Sequence, residues 1–220
     1  MNGREAVFCY NGCAVKINHA IRVLITSDFV INSGLSLFGP VFAIFVADRI
    51  AGGSIAVVGY AAAITQLFKV ALQIPIARWL DRNHGEFDDF YSMVLGSYTI
   101  AITPFLYLFA ESAVHIYLIQ ALVGIGAALA VPPWFAIFTR HIDRLQENME
   151  WSLESVAIGI SGAGAAALGG VLADRIGFDA VFLLGGLLAL VGATVQIKMF
   201  RDLKGHVSRN RVRAQPDRAT

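Results

Sequence analysis

Residues 114–138 read VHIYLIQALVGIGAALAVPPWFAIF, 25 consecutive positions without an Asp, Glu, Lys or Arg. As a helix rising 1.5 Å per residue this stretch is about 37 Å long, enough to cross a hydrocarbon core of roughly 30 Å. A soluble domain does not leave so long an uncharged run, so this segment alone places the chain in a membrane. Working outward from it, five more apolar stretches emerge, at 21–46, 54–80, 90–109, 149–172 and 180–200. They are punctuated by Asp48-Arg49, Asp81-Arg82, Glu111, Arg140-His141 and Asp174-Arg175. Composition agrees: 56% of residues are hydrophobic and 15% charged, where a soluble domain carries about a quarter charged. The predicted fold is therefore an all-α membrane protein of six transmembrane helices.

Of the 17 Lys and Arg residues, only Arg49 and Arg175 lie on the side opposite the termini, and Lys69 lies inside a span. Every other basic residue is on the side of the termini, which makes that side cytoplasmic by the positive-inside rule. An odd number of spans would destroy this asymmetry. Residues 1–20 form a cytoplasmic N-terminal segment, 21–200 the membrane domain, and 201–220 a basic tail expected to be disordered. The first apolar run lacks the short core and small-residue cleavage site of a signal peptide and reads as a retained span. A net charge of +1 gives no nucleic-acid surface. Cys9 and Cys13 are the only cysteines, and no further Cys or His completes a metal set with them.

Charge inside a span is costly and points to function. Asp28 lies about 10 Å from the cytoplasmic end of its span, Lys69 about 16 Å and Glu154 about 8 Å, counting 1.5 Å per residue. Asp28, Asn32 and Ser36 recur at i, i+4 and i+8 and form a polar stripe on the first helix. Gln66, Lys69 and Gln73 form another on the second. Such stripes face protein or water rather than lipid, so Asp28, Asn32, Gln66, Lys69, Gln73, Gln120 and Glu154 are the candidate walls of a solute or ion cavity. An ion pair between Asp28 and Lys69 is the structural alternative, with Glu154 in the headgroup zone. Trp134 is read as a cavity wall or as an interfacial anchor.

Small residues dominate the fifth span, and Gly162, Gly169 and Gly170 there, with Gly124 and Gly126 in the fourth, are expected to pack helix against helix. Gly159-Ile160-Ser161-Gly162 matches a Gly-x-Ser-Gly protease string, but the histidines lie at span ends or beyond the spans. No base reaches the serine, and no enzyme chemistry is assigned. No cofactor or metal is implied.

Three motifs resemble the major facilitator superfamily. Ala77-Arg78-Trp79-Leu80-Asp81-Arg82-Asn83-His84-Gly85 is similar to the family's turn after the second span, with Glu86, Asp88 and Asp89 where the family has basic residues. Gln120-Ala121-Leu122-Val123-Gly124-Ile125-Gly126-Ala127-Ala128 is similar to its fourth-span motif, with Gln120 at the arginine position tied to proton coupling. Ala165-Ala166-Ala167-Leu168-Gly169-Gly170 is similar to its fifth-span pattern without the proline of antiporters. Asp174-Arg175-Ile176-Gly177 closes that span as in the family.

The resemblance implies one half of such a transporter, a 3+3 inverted repeat. Asp81 and Arg82 act in it as a conformational latch, and neither proton coupling nor antiport is supported. It also implies a dimer, or pairing with a second six-helix half, that carries a small solute across the cell membrane by alternating access. Two other readings remain open at the sequence level: a substrate-binding membrane subunit of a larger import complex, and a non-transporting membrane scaffold.

Overall fold

The computed structural model describes residues 6–10, 13–83 and 85–200. Six helices run through it: α1 His19–Arg49, α2 Ile55–Asn83, α3 Glu86–Tyr107, α4 Ala113–His141, α5 Glu147–Ile176 and α6 Phe178–Gln196, the last extended by a short 3₁₀ turn at Ile197–Met199. Each falls within a few residues of an apolar stretch in the sequence. Pro40, Pro75, Pro104, Pro132 and Pro133 all lie inside helices, as membrane helices tolerate. The basic tail, 201–220, lies outside the described residues.

One expectation is corrected at the N-terminus. The all-α description holds for the membrane domain, but Ala6–Tyr10 and Cys13–Ile17 are strands, β1 and β2, paired antiparallel in the register Ala6 to Ile17 and Tyr10 to Cys13. The signal was present: Asn11-Gly12 between two runs rich in Val, Ile, Phe and Tyr is the strongest short-range hairpin pattern.

Five of the six helices, all except α3, are long and apolar enough to cross a membrane by length and composition. α3 is more polar because Glu86, Asp88 and Asp89 occupy its first turn and hydroxyl residues recur along it. Three of those hydroxyls bond backbone carbonyls. Ser92 donates to the Leu129 carbonyl of α4 at 2.9 Å, Thr99 to Leu95 at 2.8 Å and Thr103 to Ile100 at 2.7 Å.

α1 packs along α5 and α6, α4 packs along α2 and α3, and α3 meets α6. Glycines let these backbones touch. Gly34 of α1 lies against the Gly185 carbonyl of α6, and a Cβ on Gly96 of α3 would sit 2.5 Å from the Gly126 carbonyl of α4. Aromatic and aliphatic side chains fill the two ends. Ile21, Leu24, Phe90, Met93, Ile137, Phe138 and Met199 form the core nearest the termini. Phe45, Val46, Tyr107, Ile116 and Phe182 form the core at the far end. There Ala51 donates its N–H to the Glu111 carbonyl at 2.9 Å and ties the α1–α2 turn to the α3–α4 turn. Gly177, at φ 90°, breaks α5 from α6 in a backbone region that favours glycine.

Candidate functional site

Acidic side chains from two helices meet inside the bundle. Asp28 is the tenth residue of α1 and Glu154 the eighth of α5, about 14 Å and 10 Å along their helices at 1.5 Å per residue. Both side chains line one cavity of about 210 Å³, with Trp134 and Phe135 of α4, Ser97 of α3 and Gln196 of α6. Glu154 is 8% exposed and Gln196 1%. Glu154 therefore faces the interior of the bundle. The Asp28 carboxyl lies beside that of Glu154, the Ser27 hydroxyl and the Trp134 indole.

Three polar atoms around this cavity have no hydrogen-bond partner: Glu154 Oε2, Gln196 Oε1 and Trp134 Nε1. The Trp134 N–H thus lies next to Asp28 without reaching hydrogen-bond geometry. A buried polar group left unpaired costs about 1–3 kcal/mol. Trp134 is a wall of this cavity, held by stacking on Phe138 at 4.9 Å between ring centroids and by edge contact with Trp151 at 6.1 Å.

The remaining sequence candidates go elsewhere. Asn32 ties α1 to α5, its Nδ2 donating to the Ile158 carbonyl at 3.1 Å and to Ser161 Oγ at 2.7 Å. The serine of the protease-like string is thus a hydrogen-bond partner of an amide. Gln120 ties α4 to α2 and α3: Thr65 Oγ1 bonds both its backbone carbonyl, at 3.0 Å, and its side-chain Oε1, while Nε2 donates to the Tyr107 hydroxyl at 3.1 Å. Lys69 sits on α2 where that helix crosses Gly124, does not line the Asp28 cavity, and makes no ion pair among the described residues. The alternative of an Asp28–Lys69 ion pair is therefore not realised. Gln66 is exposed. Gln73 lines a second cavity of about 410 Å³ near the α2 terminus, together with Arg78, Asp81 and Pro132.

At the charged turn Asp81 lines the cavities on either side of it, and Arg82 is exposed at the end of α2. An ion pair in this region joins Asp89 in the first turn of α3 to Arg140 in the last turn of α4. Asp89 stands where the family's turn is basic, and its partner is a cation on the neighbouring helix. Sequence reading missed the pair because the residues are 51 positions apart. Gln196 was missed as well, since one amide near the end of an apolar span has no periodic pattern around it.

The packing glycines divide. Gly169 lies directly on the Leu37 carbonyl of α1, and a Cβ on Gly124 would sit 2.5 Å from the Thr65 carbonyl of α2. Gly126 is similarly crowded by Ile100 at 2.8 Å, and Gly162 is in ordinary contact with Asn32 at 3.4 Å. Gly170 differs from its expected role, because a Cβ there would meet nothing.

The Major Facilitator Superfamily model matches residues 24–218 of this sequence. The chain belongs to the major facilitator superfamily. Its fold is similar to that of the POT family transporter PepTSo, solved in meso, with a TM-score of 0.67 and 12% sequence identity over 83% of this chain. The likeness covers 37% of the PepTSo chain, so this sequence spans well under half of that protein's length. Among curated proteins no sequence matches. Membership in this superfamily makes the chain a transporter-family membrane protein and not an enzyme.

Proposed function

We propose that the chain is a six-span half of a solute transporter in the cell membrane, with both termini in the cytoplasm, working by alternating access with a second half. In this reading α3 is the sixth span. Ser92, Thr99 and Thr103 bond backbone carbonyls and Tyr98 bonds Thr194 of α6, and the helix is packed against α4 and α6. The helix contacts support a 3+3 repeat. Exchanging α1, α2 and α3 with α4, α5 and α6 carries the α1–α5 contact onto α4–α2 and the α1–α6 contact onto α4–α3, and leaves α3–α6 in place. The polar links follow the same exchange: Asn32 to Ser161 between α1 and α5, Gln120 to Thr65 between α4 and α2.

The second half, another copy of this chain or a different six-helix unit, is placed against α2 and α5. These helices expose Tyr60, Leu67, Val70, Ile74 and Trp79 on one and Val156, Ile160, Leu168 and Val171 on the other. Gly59, Gly159, Gly164 and Gly170 on the same two helices face open space, where small residues would admit a close helix. Asp81 and Arg82 would act at the charged turn, with the Asp89–Arg140 pair bracing it.

The observation that carries the functional reading is the cavity of about 210 Å³ lined by both Asp28 and Glu154, two acidic side chains brought together inside an apolar bundle. Reconstitution into proteoliposomes and a screen of solute flux test it. Saturable flux of one solute class is the expected result; no flux in any member of the screen, with the chain folded and alone or cross-linked to a second copy, contradicts it.

A further inference from the structure

Every unpaired oxygen around the Asp28 cavity is an acceptor. Glu154 Oε2 and Gln196 Oε1 lack partners, and the Asp28 carboxyl adds two more acceptor oxygens beside them. Against these stands one donor, the Trp134 indole N–H. No Lys, Arg or His lines the cavity, and the Asp28 and Glu154 carboxyls lie side by side in it. The other wall is aromatic: Trp134 and Phe135 present ring surface to the same space. A largely apolar wall that carries two carboxyls and is faced with aromatic rings is complementary to a small organic cation, through charge-assisted hydrogen bonds to the carboxyls and cation–π contact with the indole. A volume of about 210 Å³ holds more than the single proton that would otherwise relieve the carboxylate pair.

We infer that this cavity binds a small organic monocation of the ammonium class, with Asp28 and Glu154 as its counter-charges, Gln196 as a further acceptor and Trp134 as the aromatic wall. The inference deepens the transport reading by naming the substrate class of the same site, and its solute identity as cargo rests on that reading. The binding itself does not.

The test is thermal stabilisation of the full chain in mild detergent by methylammonium, choline and tetraethylammonium. 3,3-Dimethyl-1-butanol serves as the neutral isostere of choline and succinate as an anionic control. The expected result is saturable stabilisation by at least one of the three cations and by neither control. Glu154→Gln and Asp28→Asn, which keep side-chain shape, should each weaken that binding about tenfold or more. Stabilisation by the neutral isostere equal to that by choline, or by succinate alone, overturns the inference, as does the absence of any cation effect. These comparisons use the unaltered chain and stand even if a variant fails to fold. Cation binding without flux in proteoliposomes keeps the site and removes the transport reading; flux of a solute indifferent to these cations and to Glu154→Gln does the reverse.

Discussion

The helix pairs α1–α5 and α4–α2 are built alike and carry different chemistry. In each, a glycine lets two backbones touch, Gly169 on Leu37 in the first and Gly124 on Thr65 in the second. In each, an amide on the longer-contacted helix bonds a hydroxyl on its partner, Asn32 with Ser161 and Gln120 with Thr65. Beside the first link lie two carboxyls and a void; beside the second the Gln120 amide donates to the Tyr107 hydroxyl. A similar packing link thus occurs in both pairs, and among the described residues the two neighbouring carboxyls lie on the first.

The glycine contacts should show the largest effect. Gly169→Leu forces α1 and α5 apart at a backbone-to-backbone contact that cannot yield, and a loss of about 3 kcal/mol or more is expected. Gly170→Leu, one residue away but facing open space, should leave the thermal midpoint of the purified chain within a degree or two. If both variants behave alike, the α1–α5 contact is not as close as described.

Next comes the Asp89–Arg140 pair, which braces α3 against α4 on the α2 side and has no counterpart between α1 and α6 among the described salt bridges. Arg140→Ala strands a buried carboxylate. Because Arg140 is 41% exposed, the expected cost is about 1–2 kcal/mol, below the 3–5 kcal/mol of a fully buried pair. Exchanging the two residues, Asp89→Arg with Arg140→Asp, should recover part of it in a denaturant titration. No recovery would mean that the charges do not act as a pair.

The smallest effects sharpen the comparison most finely. Asn32→Ala and Gln120→Ala should each cost about 0.5–1.5 kcal/mol, as interhelical hydrogen bonds in membranes do, and the two costs should agree within about half a kcal/mol. A large inequality, measured by unfolding in mixed detergent, would show that the two links are not equivalent.

Much of this was legible in the chain. The six helices follow from uninterrupted apolar runs, because in a membrane the backbone must satisfy itself and a long apolar segment has one solution. Asp28 and Glu154 were marked by the cost of burying charge, and the structure brings them together. Lys69 was marked by the same rule but lies on α2, away from them, because depth along a span is readable from sequence and rotation about the helix axis against unknown neighbours is not. Asn32 and Gln120 were read as cavity walls, but polar stripes face protein whether they line a void or bond a neighbour. Gln196 and the Asp89–Arg140 pair needed the tertiary arrangement, since nothing local distinguishes them. The hairpin at Ala6–Ile17 was legible from Asn11-Gly12 and was overlooked beside the stronger membrane signal.

The central claim is that the α1–α5 side carries the transported solute and the α4–α2 side carries structure. Uptake of the best-binding ammonium cation into proteoliposomes, compared between Glu154→Gln and Thr65→Val at equal amounts of folded protein, tests it most directly. Glu154→Gln should reduce initial uptake about tenfold or more, while Thr65→Val, which removes the matching link on the other side, should retain it within about twofold. Equal loss in both variants, or full uptake by Glu154→Gln, would contradict the account.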